Sequence, residues 1–155
     1  MRFRLLLLGA VFGTLAWAAD PFVATWKMRA PVAPLESNVL QITTPVPGIA
    51  ITHRLSYRMT YAASQNIPPV TETFMTNLDG QESVAILASG TPTQVKMAVT
   101  RIDDRHWSAV VRTGGRVTST STVEISADGK VLKIATEARV NDGKTQSSTQ
   151  FWDRQ

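Results

Sequence analysis

The chain has 155 residues, 43% hydrophobic and 18% charged, with two histidines and no cysteine. That is one ordinary domain, too apolar to be disordered. The missing thiols exclude a disulfide scaffold, a cysteine nucleophile and thiolate metal sites, and two histidines argue against a histidine-built metal centre.

The first residues read as an export signal. Arg2 and Arg4 form a basic start, an apolar stretch runs from Leu5 to Trp17, and Ala16-Trp17-Ala18 is a small-x-small cleavage site. That order is a secretory signal peptide, cut between Ala18 and Ala19. The apolar run is about 13 residues, short of the ~20 that span a bilayer, so no membrane span is expected after cleavage. The expectation is therefore a signal peptide over 1–18, one domain over 19–155, and delivery to the periplasm or the medium. Loss of Arg2 and Arg4 lowers Lys+Arg from 16 to 14 against 12 acids, a net charge of about +2 rather than +4. With no clustered basic stripe, no nucleic-acid partner is expected.

Residues 22–29 read as a strand and 30–37, with Pro31 and Pro34, as a linker. A short strand follows over 38–44, stopped by Pro45 and Pro47, then a long one over 48–61. Residues 62–69 form a loop that Pro68 and Pro69 keep extended. Residues 70–77 and 82–88 pair through Asp79-Gly80. Further turn signals recur at Gly90, Asp103-Asp104, Gly114-Gly115, Asp128-Gly129 and Asp142-Gly143. Such dipeptides supply the positive φ that tight hairpins need. The segments between them alternate with period two: Val95, Met97 and Val99; Trp107, Ala109 and Val111; Val117, Val123 and Ile125; Leu132, Ile134, Ala138 and Val140. The pattern predicts an all-β, antiparallel, up-and-down barrel of about ten strands with almost no helix.

Alternation places His53, Leu55, Tyr57, Met59 and Tyr61 on one face of the long strand and Arg54, Ser56 and Arg58 on the other. Either the tyrosines line a pocket, or they fill the core while the arginines face solvent. An inward Arg54 or Arg58 would hold an acidic ligand. Trp107 and Trp152 either fill the barrel or line a cavity, and Trp26 is a plug or a pocket wall. Thr145, Ser147 and Thr149 with Ser119 and Ser121 are either an outer face or a partly polar interior. If Val117, Val123 and Ile125 face inward, Ser119 and Ser121 do too, and a solvated cavity would satisfy their hydroxyls.

Catalysis finds little support. Asp103, Asp104, His106 and Ser108 are neighbours on one turn, where Asp serves the backbone. There is no Gly-x-Ser-x-Gly elbow, phosphate loop or dinucleotide fingerprint. No catalytic residue, metal site or cofactor is expected.

Asp20-Pro21-Phe22-Val23-Ala24-Thr25-Trp26-Lys27 near the start and Phe151-Trp152-Asp153-Arg154 at the end resemble the calycin superfamily of lipocalins and fatty-acid-binding proteins. The resemblance implies that Trp26 closes one end of the barrel and that Arg154 packs across it. It extends to a set of small exported bacterial lipocalin-like proteins, through Arg101-Ile102-Asp103, Gly115-Arg116-Val117 and Ser126-Ala127-Asp128-Gly129-Lys130. Four departures matter. The motif glycine is Ala24. Gln150 and Trp152 stand where fatty-acid-binding proteins carry their carboxylate clamp. Residues 30–37 are too few for a two-helix lid. His106 is the last histidine, so the haem-binding relatives are a poor match.

The expected function is an exported, non-catalytic binding protein for a small, largely apolar molecule, lined by Tyr57, Tyr61, Phe74, Met97 and Trp107. The alternative is a filled barrel that serves a protein partner or forms a homodimer, with residues 62–69 and the Ser/Thr-rich faces as its surface.

Overall fold

A computed structural model describes residues 20–44, 50–140 and 143–155. The signal-peptide expectation, and the part of the long strand expected before residue 50, lie outside these. Ten strands are described: β1 (Ala24–Met28), β2 (Leu35–Thr43), β3 (His53–Tyr61), β4 (Val70–Thr76), β5 (Asp79–Leu87), β6 (Pro92–Arg101), β7 (His106–Thr113), β8 (Arg116–Ile125), β9 (Val131–Arg139) and β10 (Thr145–Arg154). Each pairs antiparallel with its chain neighbour, and β1 pairs with β10 through Trp26↔Arg154, Lys27↔Asp153 and Met28↔Trp152, closing the barrel. Among the described residues the one helical element is a single 3₁₀ turn, Ala63–Gln65, between β3 and β4.

Three local expectations need correction. Leu35 already belongs to β2, so the linker is shorter than 30–37 and ends at the cis Ala33-Pro34 bond. Asp79-Gly80 is not the β4–β5 turn. The chain reverses at Leu78, which takes φ 59 and is held by its N–H donating to Thr76 Oγ1 at 3.0 Å. Gly80 instead sits in a bulge, where the register shifts between Asp79 and Glu82. Its φ of 82 is glycine territory, and a Cβ there would lie 2.9 Å from Thr100 Oγ1. Third, a register shift opposite Val111/Arg112 pairs Arg112 with Val117, so the inward run of β8 is Ser119, Ser121, Val123 and Ile125 without Val117. The Ser/Thr group also divides. Ser119 and Ser121 face inward, whereas Thr145, Ser147 and Thr149 alternate with inward Ser148, Gln150 and Trp152 and face out.

One end of the barrel is packed shut. Asp20 Oδ1 accepts the Phe22 N–H at 3.0 Å, a local turn that sends Phe22 beneath the barrel. Phe22 stacks on Trp107 with ring centroids 4.1 Å apart, and Trp26 donates its indole N–H to Phe22 O at 3.0 Å. The Arg154 guanidinium lies 5.5 Å over the Trp26 ring and donates to Gly129 O and Val23 O, both at 3.1 Å. Phe22, Trp26, Trp107 and Trp152 are all at most 2% exposed. At about 150–250 Å² each, such rings contribute roughly 4–6 kcal/mol apiece in transfer free energy before entropy is counted.

Candidate functional site

The inner face changes character along the barrel axis. At the closed end His53 and Leu55 of β3, Phe74 and Thr76 of β4, Met97 and Val99 of β6, Val123 and Ile125 of β8, and Leu132 and Ile134 of β9 are buried. One or two positions further toward the other end, the same faces are only partly covered: Tyr57, Met59 and Tyr61; Glu72 and Val70; Val95; Ser121 and Ser119; Thr136 and Ala138. On β10 the series runs from buried Trp152 through half-buried Gln150 to exposed Ser148 and Gln146. Seven strands share this gradient, Ala109 and Val111 of β7 included. Half the barrel is therefore a packed core, and the other half is a cup open to solvent. The β1–β2 connection holds no helix, and among the described residues no helical lid covers the cup.

Within the packed half the free space is small. A void of about 20 Å³ lies among Leu40, Leu55, Tyr57, Met97, Trp107 and Ile134. It is apolar, so it stays dry. Of the five expected lining residues, Phe74, Met97 and Trp107 stand in this packed half at 2%, 8% and 2% exposure. Tyr57 and Tyr61 face the cup. Tyr57 meets Phe74 and Trp152 edge-on, at 6.3 and 6.5 Å. It is surrounded by enough protein that burial pushes its phenol up to about 12. Arg54 and Arg58 are exposed on the outer face, so neither offers a guanidinium to an interior acid.

The floor of the cup carries polar atoms that the sequence reading did not single out. Trp152, Met28, Asn38 and Met59 form one row across β10, β1, β2 and β3. Asn38 is 9% exposed and its Oδ1 has no hydrogen-bond partner; the Trp152 Nε1–H is also buried and unpaired. Alternation with Leu40 and Ile42 aims Asn38 inward, a signal already available in the strand expected over 38–44. The wall of the cup is wetter: Ser121 and Thr136 bond each other at 2.9 Å across β8 and β9.

A second polar cluster seals the closed end. Asp20 contacts Arg101 and lies 3.0 Å from His53 Nε2, and the other ring nitrogen of His53 lies 3.0 Å from Thr52 Oγ1. Burial by itself would raise the Asp20 carboxyl. The Phe22 N–H, His53 and Arg101 together outweigh burial and hold it below the usual 3.8. These contacts tie the N-terminal segment to β3 and β6 and make the cluster a latch. His106 pairs with Asp103 at 2.8 Å on the exposed β6–β7 turn. Among the described residues no group of three His, Asp or Glu could hold a metal ion, and no helix is long and apolar enough to cross a membrane.

No family profile matches the chain, and no curated protein resembles it significantly in sequence. Its architecture has solved counterparts. A zebrafish ileal bile acid-binding protein, crystallised with cholic acid, superposes with a TM-score of 0.50 at 15% identity, over 88% of this chain and all of that one. The fold is calycin-like. It is the ten-strand barrel of the fatty-acid-binding-protein type, here with no helix between β1 and β2 and with Trp152 and Gln150 facing inward on the last strand.

Proposed function

We propose that this protein is an exported, non-catalytic carrier that holds a small, largely apolar molecule in the open half of its barrel. One observation carries the reading: a buried acceptor, Asn38 Oδ1, and a buried donor, Trp152 Nε1, lie unpaired in one row at the floor of a solvent-open cup. An unpaired buried polar atom costs about 1–3 kcal/mol, a cost that a ligand with a matching polar end removes. Tyr57, Tyr61, Met59 and the neighbouring wall supply apolar and aromatic surface around those anchors. The named ligand of the zebrafish protein supports a binding role for the same architecture.

The test is native mass spectrometry of protein purified without detergent from an exporting host, followed by octanol titration with tryptophan fluorescence as readout. The reading expects an added mass that organic extraction removes, or a saturable fluorescence change with octanol. A bare mass with no response to octanol would overturn it. A bare dimer without octanol uptake would favour the interaction protein instead.

A further inference from the structure

The charge of the cup is opposite to what an acid carrier needs. On β4, Glu72 alternates with buried Phe74 and Thr76 and so faces inward, directly opposite Tyr57 on β3 and Leu87 on β5. It makes no ion pair or hydrogen bond with any described residue. No cation of the described strands faces it. Arg54 and Arg58 point outward from β3, while Lys96 and Arg112 are engaged outside by Glu82 at 3.5 and 2.9 Å. Arg101 is held by Asp20 at the closed end. Arg116 and Arg139 stand at the rim on β8 and β9, half the circumference from β4.

Next to Glu72 the floor offers acceptors and π-faces. Asn38 Oδ1 is a buried, unpaired acceptor in the row beside Met59, and Tyr57, opposite Glu72 on β3, meets the Trp152 ring edge-on. A carboxylate, an amide oxygen and aromatic faces are the chemistry that recognises an ammonium group. The same set repels a carboxylate, because a carboxylate ligand would bring a second negative charge into a half-dry cup that holds no balancing cation.

Resting on the binding reading above, we propose that the cup selects a cationic amphiphile, an amine on an apolar body, with Glu72 as its charge partner and Asn38 Oδ1 as a second acceptor. The test compares three probes of equal length at pH 7: octylamine, octanol and octanoate, each titrated below its aggregation limit. Octylamine is expected to bind at least about tenfold tighter than octanol, the worth of one hydrogen bond to a charged partner, with octanoate weakest. Glu72→Gln should bring octylamine to within about twofold of octanol. Octanoate binding as tightly as octylamine, or a Glu72→Gln protein that keeps the amine preference, would overturn the proposal and leave the carrier reading standing. Failure of all three probes to bind would overturn both. The wild-type ranking stands by itself, so the proposal stays testable if the variant misfolds.

Discussion

Replacing Asp20 by Asn keeps the shape of the closed-end latch and removes its charge. Asp20 accepts from the Phe22 N–H and pairs with both His53 and Arg101. The amide oxygen of Asn can still accept from Phe22, but Arg101 loses its carboxylate, and its Nε is already buried without a partner. Hydrogen bonds to charged groups contribute about 1.5–3 kcal/mol each. Arg101 is one-third exposed, so solvent screens its share, whereas His53 and Asp20 are 9% and 15% exposed at their side chains. The expected loss is about 2–3 kcal/mol at pH 7, read as a lower urea midpoint at unchanged slope. The pH dependence follows from the depressed carboxyl. Its contribution is complete above the unfolded-state value and vanishes as pH falls through the lower folded-state value. Wild type and Asp20→Asn should therefore differ fully at about pH 6–7 and converge only as pH falls below the usual carboxyl value of 3.8. A gap under about 0.5 kcal/mol at pH 7, or one that persists undiminished at acid pH, would refute the latch.

Other substitutions probe the packing. Phe22→Ala should cost about 3–5 kcal/mol and shift Trp107 emission to the red, since the ring is fully buried and stacked on that indole. Gly80→Ala should cost about 2–3 kcal/mol through strain plus the Thr100 contact. Gly90→Ala, with a similar φ but open space around it, should cost only about 1 kcal/mol. Equal losses in those two variants would refute the bulge argument. Trp152→Phe keeps most of the ring and deletes an unpaired donor, so the ligand-free protein should gain up to about 1 kcal/mol. A loss above about 2 kcal/mol would mean that the indole N–H has a partner.

The late strands were legible because their signals are local. Gly114 and Gly115 both take positive φ at the β7–β8 hairpin, and Val95, Met97 and Val99 alternate without interruption. Asp79-Gly80 misled because a positive-φ glycine serves a bulge as well as a turn. The turn itself fell to Leu78, a residue that nothing in its own chemistry marks for positive φ. The faces of β3 could be listed but not assigned, since periodicity of two says which residues share a side and not which side is inside. The Asp20–His53–Arg101 latch carries no local signal, because its members are up to 81 residues apart and meet only when the barrel closes. Asn38 follows Glu36 and Ser37, and Glu72 stands between Thr71 and Thr73, so neither is distinguished from polar neighbours until strand order places them around one cup. Phe74, Met97 and Trp107 share the inward face with Tyr57, but their depth along the axis could not be read from alternation.

The central claim is that a ligand enters the open half and reaches its floor. The most direct measurement follows the indole N–H signals of ¹⁵N-labelled protein during octanol titration. Trp152 Nε1 is unpaired at the floor, whereas Trp26 Nε1 is bonded to Phe22 O at the closed end. The account predicts a saturable shift of the Trp152 signal, with the Asn38 and Tyr57 amides moving alongside it and Trp26 unmoved. A saturating shift confined to Trp26, or to outward residues such as Thr145 and Thr149, would contradict it.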